Sequence, residues 1–105
     1  MVITILDGEV AENMWADLKA AYKNETINMP EGIHQTFLIQ SQSSPTSWRI
    51  MTHWRSEEDL NKVRSSPETP PAVRVFQAAD AKPSLVVWNI VTYRVSKKSD
   101  LFTSL

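Results

Sequence analysis

Alternation of apolar and polar residues predicts four β-strands. A β-branched apolar run at residues 2–6 ends at the turn-forming pair Asp7-Gly8. Residues 33–42 and 48–54 alternate with a period of two and enclose a serine-rich turn, which predicts a hairpin. Residues 85–93 are apolar at both parities. This last pattern predicts a strand that is buried on both faces.

Helical periodicity predicts three helices. The first, at residues 11–25, has one apolar face formed by Met14, Trp15, Leu18, Ala21 and Tyr22. Ser56 precedes three acidic residues, which is typical of an N-cap, and the second helix behind it carries Leu60 and Val63 inward. The third helix begins at Pro70-Pro71, and its apolar face is formed by Ala72, Val75, Phe76 and Ala79.

The order of these elements, β-α-β-β-α(α)-β, predicts an α+β fold of the ferredoxin-like type. Such a fold is a four-stranded antiparallel sheet with helices on one face. Because one layer of helices cannot cover both faces, the doubly apolar last strand predicts that a second copy of the chain covers the other face. We therefore expect a homodimer, with one domain at residues 1–95 and a polar C-terminal tail at residues 96–105.

Composition narrows the classes of function. The chain has 105 residues, enough for one domain, and 11 Lys plus Arg against 12 Asp plus Glu give a net charge of -1. This charge provides no positive field for nucleic acid or an anionic membrane. The absence of cysteine excludes disulfides, thiol nucleophiles, Cys-ligated zinc and iron–sulfur clusters. With two histidines, a metal site would have to rely on carboxylates, and none is predicted.

The hydropathy of the chain predicts its location. No apolar run reaches the roughly 18 residues that a membrane helix needs. The N-terminal apolar run lacks the basic region and the length of a signal peptide. We therefore expect a cytoplasmic protein that makes no contact with a membrane.

Several short motifs resemble a known family when they are taken in their order along the chain. They are Pro30-Glu31-Gly32, Pro45, Trp54-Arg55-Ser56-Glu57-Glu58 and Ser66-Pro67. Together they resemble the antibiotic-biosynthesis-monooxygenase domain of the dimeric α/β-barrel superfamily, over residues 2–95. The resemblance implies a homodimer in which two sheets face each other as a barrel. It also implies a ligand pocket between the sheet and the helices of each subunit.

The same resemblance implies a range of activities. Members of the family include cofactor-independent oxygenases of polycyclic phenols and quinols, haem-degrading enzymes and an isomerase of a signalling molecule. Many members carry a His where this chain has Val63, and a second His where Glu68 and Thr69 follow the Ser-Pro pair. The positions that haem degraders use correspond to Ile5, Val63 and Val73, which are all apolar. Haem bound in the family's manner is therefore not expected, and we predict no cofactor.

Two histidines are the candidate catalytic residues, and their meeting depends on the register of the hairpin. If Phe37 and Ile39 share a face with Trp48 and Trp54, the opposite face carries His34, Thr36, Gln40, Arg49, His53 and Arg55. His53 or His34 would then act as a base on a phenolic or enolic substrate, with Arg49 or Arg55 holding the anion. The alternative is structural: this face lines the barrel seam or meets solvent, and water satisfies the histidines.

Three further residues are candidates for substrate binding. Trp54 belongs to a set of four tryptophans that together suit a flat aromatic ligand, although each of them also suits a core. Asn89 is an amide within an apolar strand and needs a partner if it is buried, either a backbone group or a ligand. Tyr93 lies on the same parity and either reaches the same place or packs on the other subunit.

Two functions from different classes remain open at this point. The first is a cofactor-independent monooxygenase-like enzyme that acts on a small aromatic or quinol-type substrate. A substrate that becomes a carbanion can pass an electron to O₂ itself, so the protein needs only to deprotonate, orient and shield it. The second is a non-catalytic homodimer of the same fold that binds a ligand or has a structural role. A polar pocket between sheet and helices that reaches solvent, with Asn89 or a His in its wall, would favour the enzyme. A pocket with no titratable side chain, filled by Trp and Phe, would count against it.

Overall fold

A computed structural model describes residues 1–96 of the chain. Its elements, in order, are β1 (Val2–Glu9), a 3₁₀ turn (Glu12–Met14), α1 (Trp15–Glu25), β2 (Ile33–Gln40), β3 (Ser47–Trp54), α2 (Glu57–Arg64), α3 (Pro71–Ala78) and β4 (Ser84–Asn89). The strands form one antiparallel sheet in the order β2-β3-β1-β4. The helices cover one face of it. The predicted α+β ferredoxin-like fold is confirmed.

The helix-facing side of the sheet contains the core. One cluster joins the sheet to α1 and α3, and its most deeply buried side chains are Leu18, Ile50, Val75 and Phe76. A smaller cluster of Val2, Trp54 and Leu60 joins the sheet to α2. The predicted apolar faces of the three helices are therefore the ones that pack. No helix within residues 1–96 has the length and hydropathy to cross a membrane.

Two of the predicted strands differ in length from the observed ones. β1 continues through Asp7-Gly8 to Glu9 instead of ending at the turn-forming pair. A Cβ atom on Gly8 would lie 2.6 Å from Cε1 of Phe76. The lack of a side chain at Gly8 therefore allows the Phe76 ring of α3 to pack against β1. β4 ends at Asn89, and residues 90–93 of the predicted strand lie outside it.

The predicted burial of the last strand is not met within one chain. Every residue of β4 is exposed, including the apolar run Leu85 to Trp88. The physical reason is its place at the edge of the sheet, where β1 is its one neighbouring strand. The predicted tail, residues 96–105, lies outside the described residues apart from Ser96.

The register that was expected for the hairpin is wrong for β2. A β-bulge at His34, between Ile33 and Gln35, shifts the later part of β2 by one residue. Phe37 therefore pairs with Met51 on the open face of the sheet, and Ile39 pairs there with Arg49. Two residues that were expected on the open face, Thr36 and Gln40, lie on the helix side instead. Leu38 lies there with them. His34, Arg49 and His53 remain on the open face.

We predict that Gly8→Ala lowers the free energy of unfolding by about 1–3 kcal/mol, because the added methyl group overlaps the ring of Phe76. Urea denaturation followed by circular dichroism measures this change. The matched background is Phe76→Leu, in which the ring is absent and Gly8→Ala should cost much less. Equal costs of Gly8→Ala in the two backgrounds would contradict this explanation.

Candidate functional site

A cavity of about 180 Å³ lies between the sheet and the helices. Its wall combines residues of β1, β2, β3 and β4 with residues of α2 and α3 and with four prolines. The lining consists of Thr4, Leu6, Pro30, Ile33, Thr52, Trp54, Leu60, Val63, Arg64, Pro70, Pro71, Ala72, Val73, Pro83 and Leu85. This wall is almost entirely apolar, which is the usual character of a small-molecule pocket.

Two threonines provide the polar groups on the sheet side of the cavity. Thr4 of β1 and Thr52 of β3 are directly paired in the register, and both are buried, with 4% and 5% of their surface exposed. The indole N–H of Trp54 donates to the hydroxyl of Thr4 at 3.0 Å. The hydroxyl of Thr52 lies 3.4 Å from that of Thr36. The bond from Trp54 fixes the orientation of an aromatic side chain that lines the cavity.

A larger and more polar cleft of about 490 Å³ adjoins the cavity, and the two share Pro30, Val63, Pro70 and Pro71. The cleft is lined by charged residues of both signs, namely Glu31, Arg55, Asp59, Lys62, Glu68 and Arg74. The cleft is the path by which a ligand extending beyond the cavity would reach solvent.

Local sequence features position the walls of the cleft. The side chain of Ser56 accepts a hydrogen bond from the backbone N–H of Asp59 at 3.1 Å, which confirms the predicted N-cap of α2. Gly32 has a φ of 94° and lies so close to Asp59 that a Cβ atom would be 2.5 Å from the Asp59 Cβ. These contacts hold the loop before β2 against the start of α2.

One cation of the cleft is already neutralised within the chain. Arg74 donates two hydrogen bonds to Glu25, at 3.0 and 2.8 Å. The hydrogen bond from Arg74 lowers the pKa of the Glu25 carboxyl, so the pair stays ionised. Over residues 1–96, the ion pairs are this one and Arg49 with Asp7. Arg64, at the wall of the cavity, is exposed and takes part in neither pair.

The two histidines meet on the opposite, open face of the sheet. The ring centroids of His34 and His53 are 4.9 Å apart, with the ring planes inclined by 42°. Burial lowers the pKa of His53, and the nearby His34 and the N-terminal amine lower it further. His53 Nε2 also lies 3.4 Å from Sδ of Met1. Within the described part of the chain, no third His, Asp or Glu joins them as a metal-ligand group.

The other candidate residues are spread over the sheet. Arg49 lies on the open face with the histidines, where it forms an ion pair with Asp7. Asn89 is the last residue of β4 and is exposed, not buried in an apolar strand. Tyr93 lies four residues beyond the end of that strand, and 65% of its surface is exposed. Of the six predicted site residues, Trp54 alone lines the cavity.

Several cavity residues were not singled out by the sequence analysis. Thr4, Thr52 and Arg64 provide its polar groups. Both threonines lie at the same strand parity as the buried apolar residues of β1 and β3. Counting residues with a period of two therefore places them on the core side. Val63, where many members of the resembled family have a His, lines both the cavity and the cleft.

The chain is similar in sequence to proteins of known class. The family model for antibiotic biosynthesis monooxygenase matches residues 9–79, which is more than half of the chain. A curated relative, the fusarin C synthetase of Gibberella moniliformis, is 27% identical over 94 residues, or 89% of this chain. The chain spans only 2% of that relative's length.

Solved structures share the fold at low sequence identity. A candidate antibiotic biosynthesis monooxygenase from Deinococcus radiodurans superposes with a TM-score of 0.71 at 13% identity, covering 91% of this chain and 98% of its own. SnoaB, a cofactor-independent oxygenase from Streptomyces nogalater, superposes with a TM-score of 0.68 at 10% identity, covering 88% and 95%. The resemblance inferred from the motifs is thus confirmed by the family model, and the chain belongs to the antibiotic biosynthesis monooxygenase family.

Proposed function

We propose that this chain is a cofactor-independent monooxygenase-like enzyme that acts on a small aromatic or quinol-type molecule. The observation that carries the proposal is the apolar cavity between sheet and helices, with Trp54 fixed in its wall. Membership of the family supports oxygenase chemistry, and the structural neighbour SnoaB is described as a cofactor-independent oxygenase.

The size of the cavity limits the ligand. An apolar cavity of about 150 Å³ is large enough to hold benzene. At about 180 Å³, this cavity accepts one substituted six-membered ring. Any further ring or polar group extends into the adjoining cleft. A flat ligand stacks on the indole of Trp54, because offset aromatic pairs are favoured beyond the burial of their area.

The proposed reaction needs O₂ and no other reactant. A quinol carries two electrons more than its quinone, so quinol plus O₂ gives hydroxyquinone plus water: one oxygen atom replaces a ring hydrogen and the other leaves as water. The first step is loss of a proton from the quinol, after which the anion donates an electron to O₂. The apolar wall excludes bulk water from the reactive anion.

The cavity wall favours the anion without supplying a base. Among residues 1–96, its lining includes no His, Asp or Glu, and Arg64 is its one charged group. A guanidinium beside a phenolic oxygen stabilises the phenolate and lowers the pKa of the phenol. In this proposal the proton leaves to solvent through the polar cleft, while Arg64 holds the anion.

We predict that 1-naphthol raises the melting temperature of the wild-type chain and that Val63→Phe abolishes this rise. The added ring occupies the boundary between cavity and cleft, and a ligand stabilises only the state that binds it. Thermal unfolding with and without 1-naphthol measures the effect. Val86→Phe, on the open face, is the matched control and should leave the rise intact.

Oxygen uptake separates the enzyme from a non-catalytic ligand-binding protein. With 1,4-naphthohydroquinone and ¹⁸O₂, an enzyme incorporates one labelled atom per product, at a rate that Val63→Phe reduces and Val86→Phe does not. Binding without protein-dependent incorporation would favour the ligand-binding alternative. Absence of binding to wild type would contradict both functions of the cavity.

A homodimer is part of the same proposal. The open face carries exposed apolar side chains on its two edge strands, β2 and β4, including Phe37, Val86 and Trp88, and Trp88 has 60% of its surface exposed. Contiguous apolar surface of this kind marks an interaction site, and members of the family are often homodimers. The open face is therefore proposed as the contact between two copies.

We predict that the wild-type chain is a dimer at micromolar concentration and that Trp88→Asp makes it monomeric, because a charge would be buried between the sheets. Size-exclusion chromatography with light scattering gives the mass. Ile27→Asp is the matched control, since Ile27 is equally apolar and 73% exposed but lies outside the sheet. A monomeric wild type, or two variants with the same mass, would contradict this assignment.

A second candidate site follows from the histidine pair. If a second copy covers the open face, it encloses the neighbouring imidazoles of His34 and His53. Arg49 lies four residues before His53 in β3, on the same face. A neutral imidazole near neutral pH is a competent general base. His53 and His34 are then the catalytic residues, Arg49 holds the substrate anion, and Asn89 and Tyr93 bind substrate from the end of β4 and beyond.

We predict that His53 titrates below the ordinary pKa of histidine and that His34→Gln moves it partway back, since burial is the larger cause and the charge of His34 the smaller one. Because the unfolded chain binds the proton more readily, the contribution of His53 to the free energy of unfolding falls as the pH drops below about 6.5. NMR titration of the imidazole resonances measures the pKa. An unchanged pKa in His34→Gln would show that the rings do not interact.

The activity of the His53→Gln variant tells on which face of the sheet the reaction takes place. Loss of ¹⁸O incorporation in His53→Gln with intact 1-naphthol binding would place the base on the open face. Full activity in His53→Gln would leave the reaction in the cavity.

A further inference from the structure

Thr4 has an unusual position for a hydroxyl group. It is 4% exposed, lies in β1 on the helix-facing side of the sheet and lines an apolar cavity. Valine would fit the same strand position with nearly the same shape and without a polar atom. A buried hydroxyl group is stable there only if hydrogen bonds replace those it makes with water.

The hydrogen bonds of Thr4 leave its donor unused. The hydroxyl oxygen accepts the indole N–H of Trp54 at 3.0 Å. A hydroxyl group also has one hydrogen to donate. Across residues 1–96, the side-chain hydrogen bonds provide no acceptor for this hydrogen, and Thr4 lines the cavity.

Thr52 provides an internal comparison. It is opposite Thr4 in the register, is equally buried and lines the same cavity. Its hydroxyl, however, lies 3.4 Å from the hydroxyl of Thr36, an acceptor to which it can donate its hydrogen. Among residues 1–96, the hydrogen of the Thr52 hydroxyl thus has a protein acceptor within reach, and the hydrogen of the Thr4 hydroxyl has none.

Resting on the proposed function of the cavity, we infer that Thr4 is a specificity-determining residue that donates a hydrogen bond to an acceptor oxygen at the buried edge of the ligand ring. The preferred ligands are ring compounds with a carbonyl or phenolate oxygen, such as a quinone or an ionised quinol. The bond from Trp54 sets the direction of the donated hydrogen and the plane on which the ring stacks. Arg64, on α2, meets the opposite, outer edge of the ring.

Acetophenone and α-methylstyrene test this inference. They have nearly the same shape, but acetophenone has a carbonyl oxygen where α-methylstyrene has a CH₂ group. The measurement is the ratio of their dissociation constants, from calorimetry or tryptophan fluorescence, compared between variants. Using the ratio cancels changes in cavity shape that affect both compounds alike.

We expect Thr4→Val to shift this ratio against acetophenone by about three- to tenfold, the effect of one hydrogen bond. Thr52→Val is the matched control and should shift it less than twofold. Thr4→Ser retains the hydroxyl and should restore the wild-type ratio. Because Thr4→Val leaves the indole N–H unpaired, the double variant Thr4→Val/Trp54→Phe removes both partners and should show the same low preference for acetophenone.

Each other outcome overturns a distinct statement. Equal weakening of both compounds by Thr4→Val, or equal shifts for Thr4→Val and Thr52→Val, would overturn the role of Thr4 while the cavity remains a binding site. Failure of both compounds to bind wild type, with unchanged heats and fluorescence, would overturn the proposed function and this inference with it.

Discussion

The register between β1 and β3 determines what each face of the sheet contains. It sets Thr4 opposite Thr52 on the helix side and Ile3 opposite His53 on the open side. Because successive residues of a strand point to opposite faces, a shift by one residue would exchange these two sets. The bond from Trp54 to Thr4 requires this register. The sheet side of the core and the wall of the cavity depend on it.

The sheet therefore separates two environments with different chemistry. On the helix side, an apolar cavity contains two hydroxyls, an indole and one guanidinium, a set that binds and orients a ring and stabilises an anion. On the open side, two imidazoles lie beside an ion pair and exposed apolar side chains. A base and a ring-binding cavity lie on opposite faces, so one substrate molecule cannot contact both in a single chain.

Because the helices form a single layer, the other face of the sheet keeps exposed apolar side chains. β4 is at the edge of the sheet and no residue of it is buried, although four consecutive residues are apolar. Residues of the strand that face the helices are exposed as well, and one of them, Leu85, lines the cavity. The apolar pattern of the last strand supplied the expectation of a second sheet, and the family resemblance implied the same arrangement. The exposed side chains of β4 are the physical reason for it.

The sequence by itself determined the elements, their order and the family, because alternation, helical periodicity, the Ser56 cap and the Trp54 junction are all local signals. It also named Trp54 as a candidate for substrate binding, and this residue lines the cavity. Only the tertiary structure decided the faces of β2, since the bulge at His34 arises from pairing with β3 and leaves no local pattern. The same holds for the bond from Trp54 to Thr4, the role of Gly8 beneath a ring and the exposure of Asn89. Each of these depends on contacts between residues far apart in the chain, which no local pattern contains.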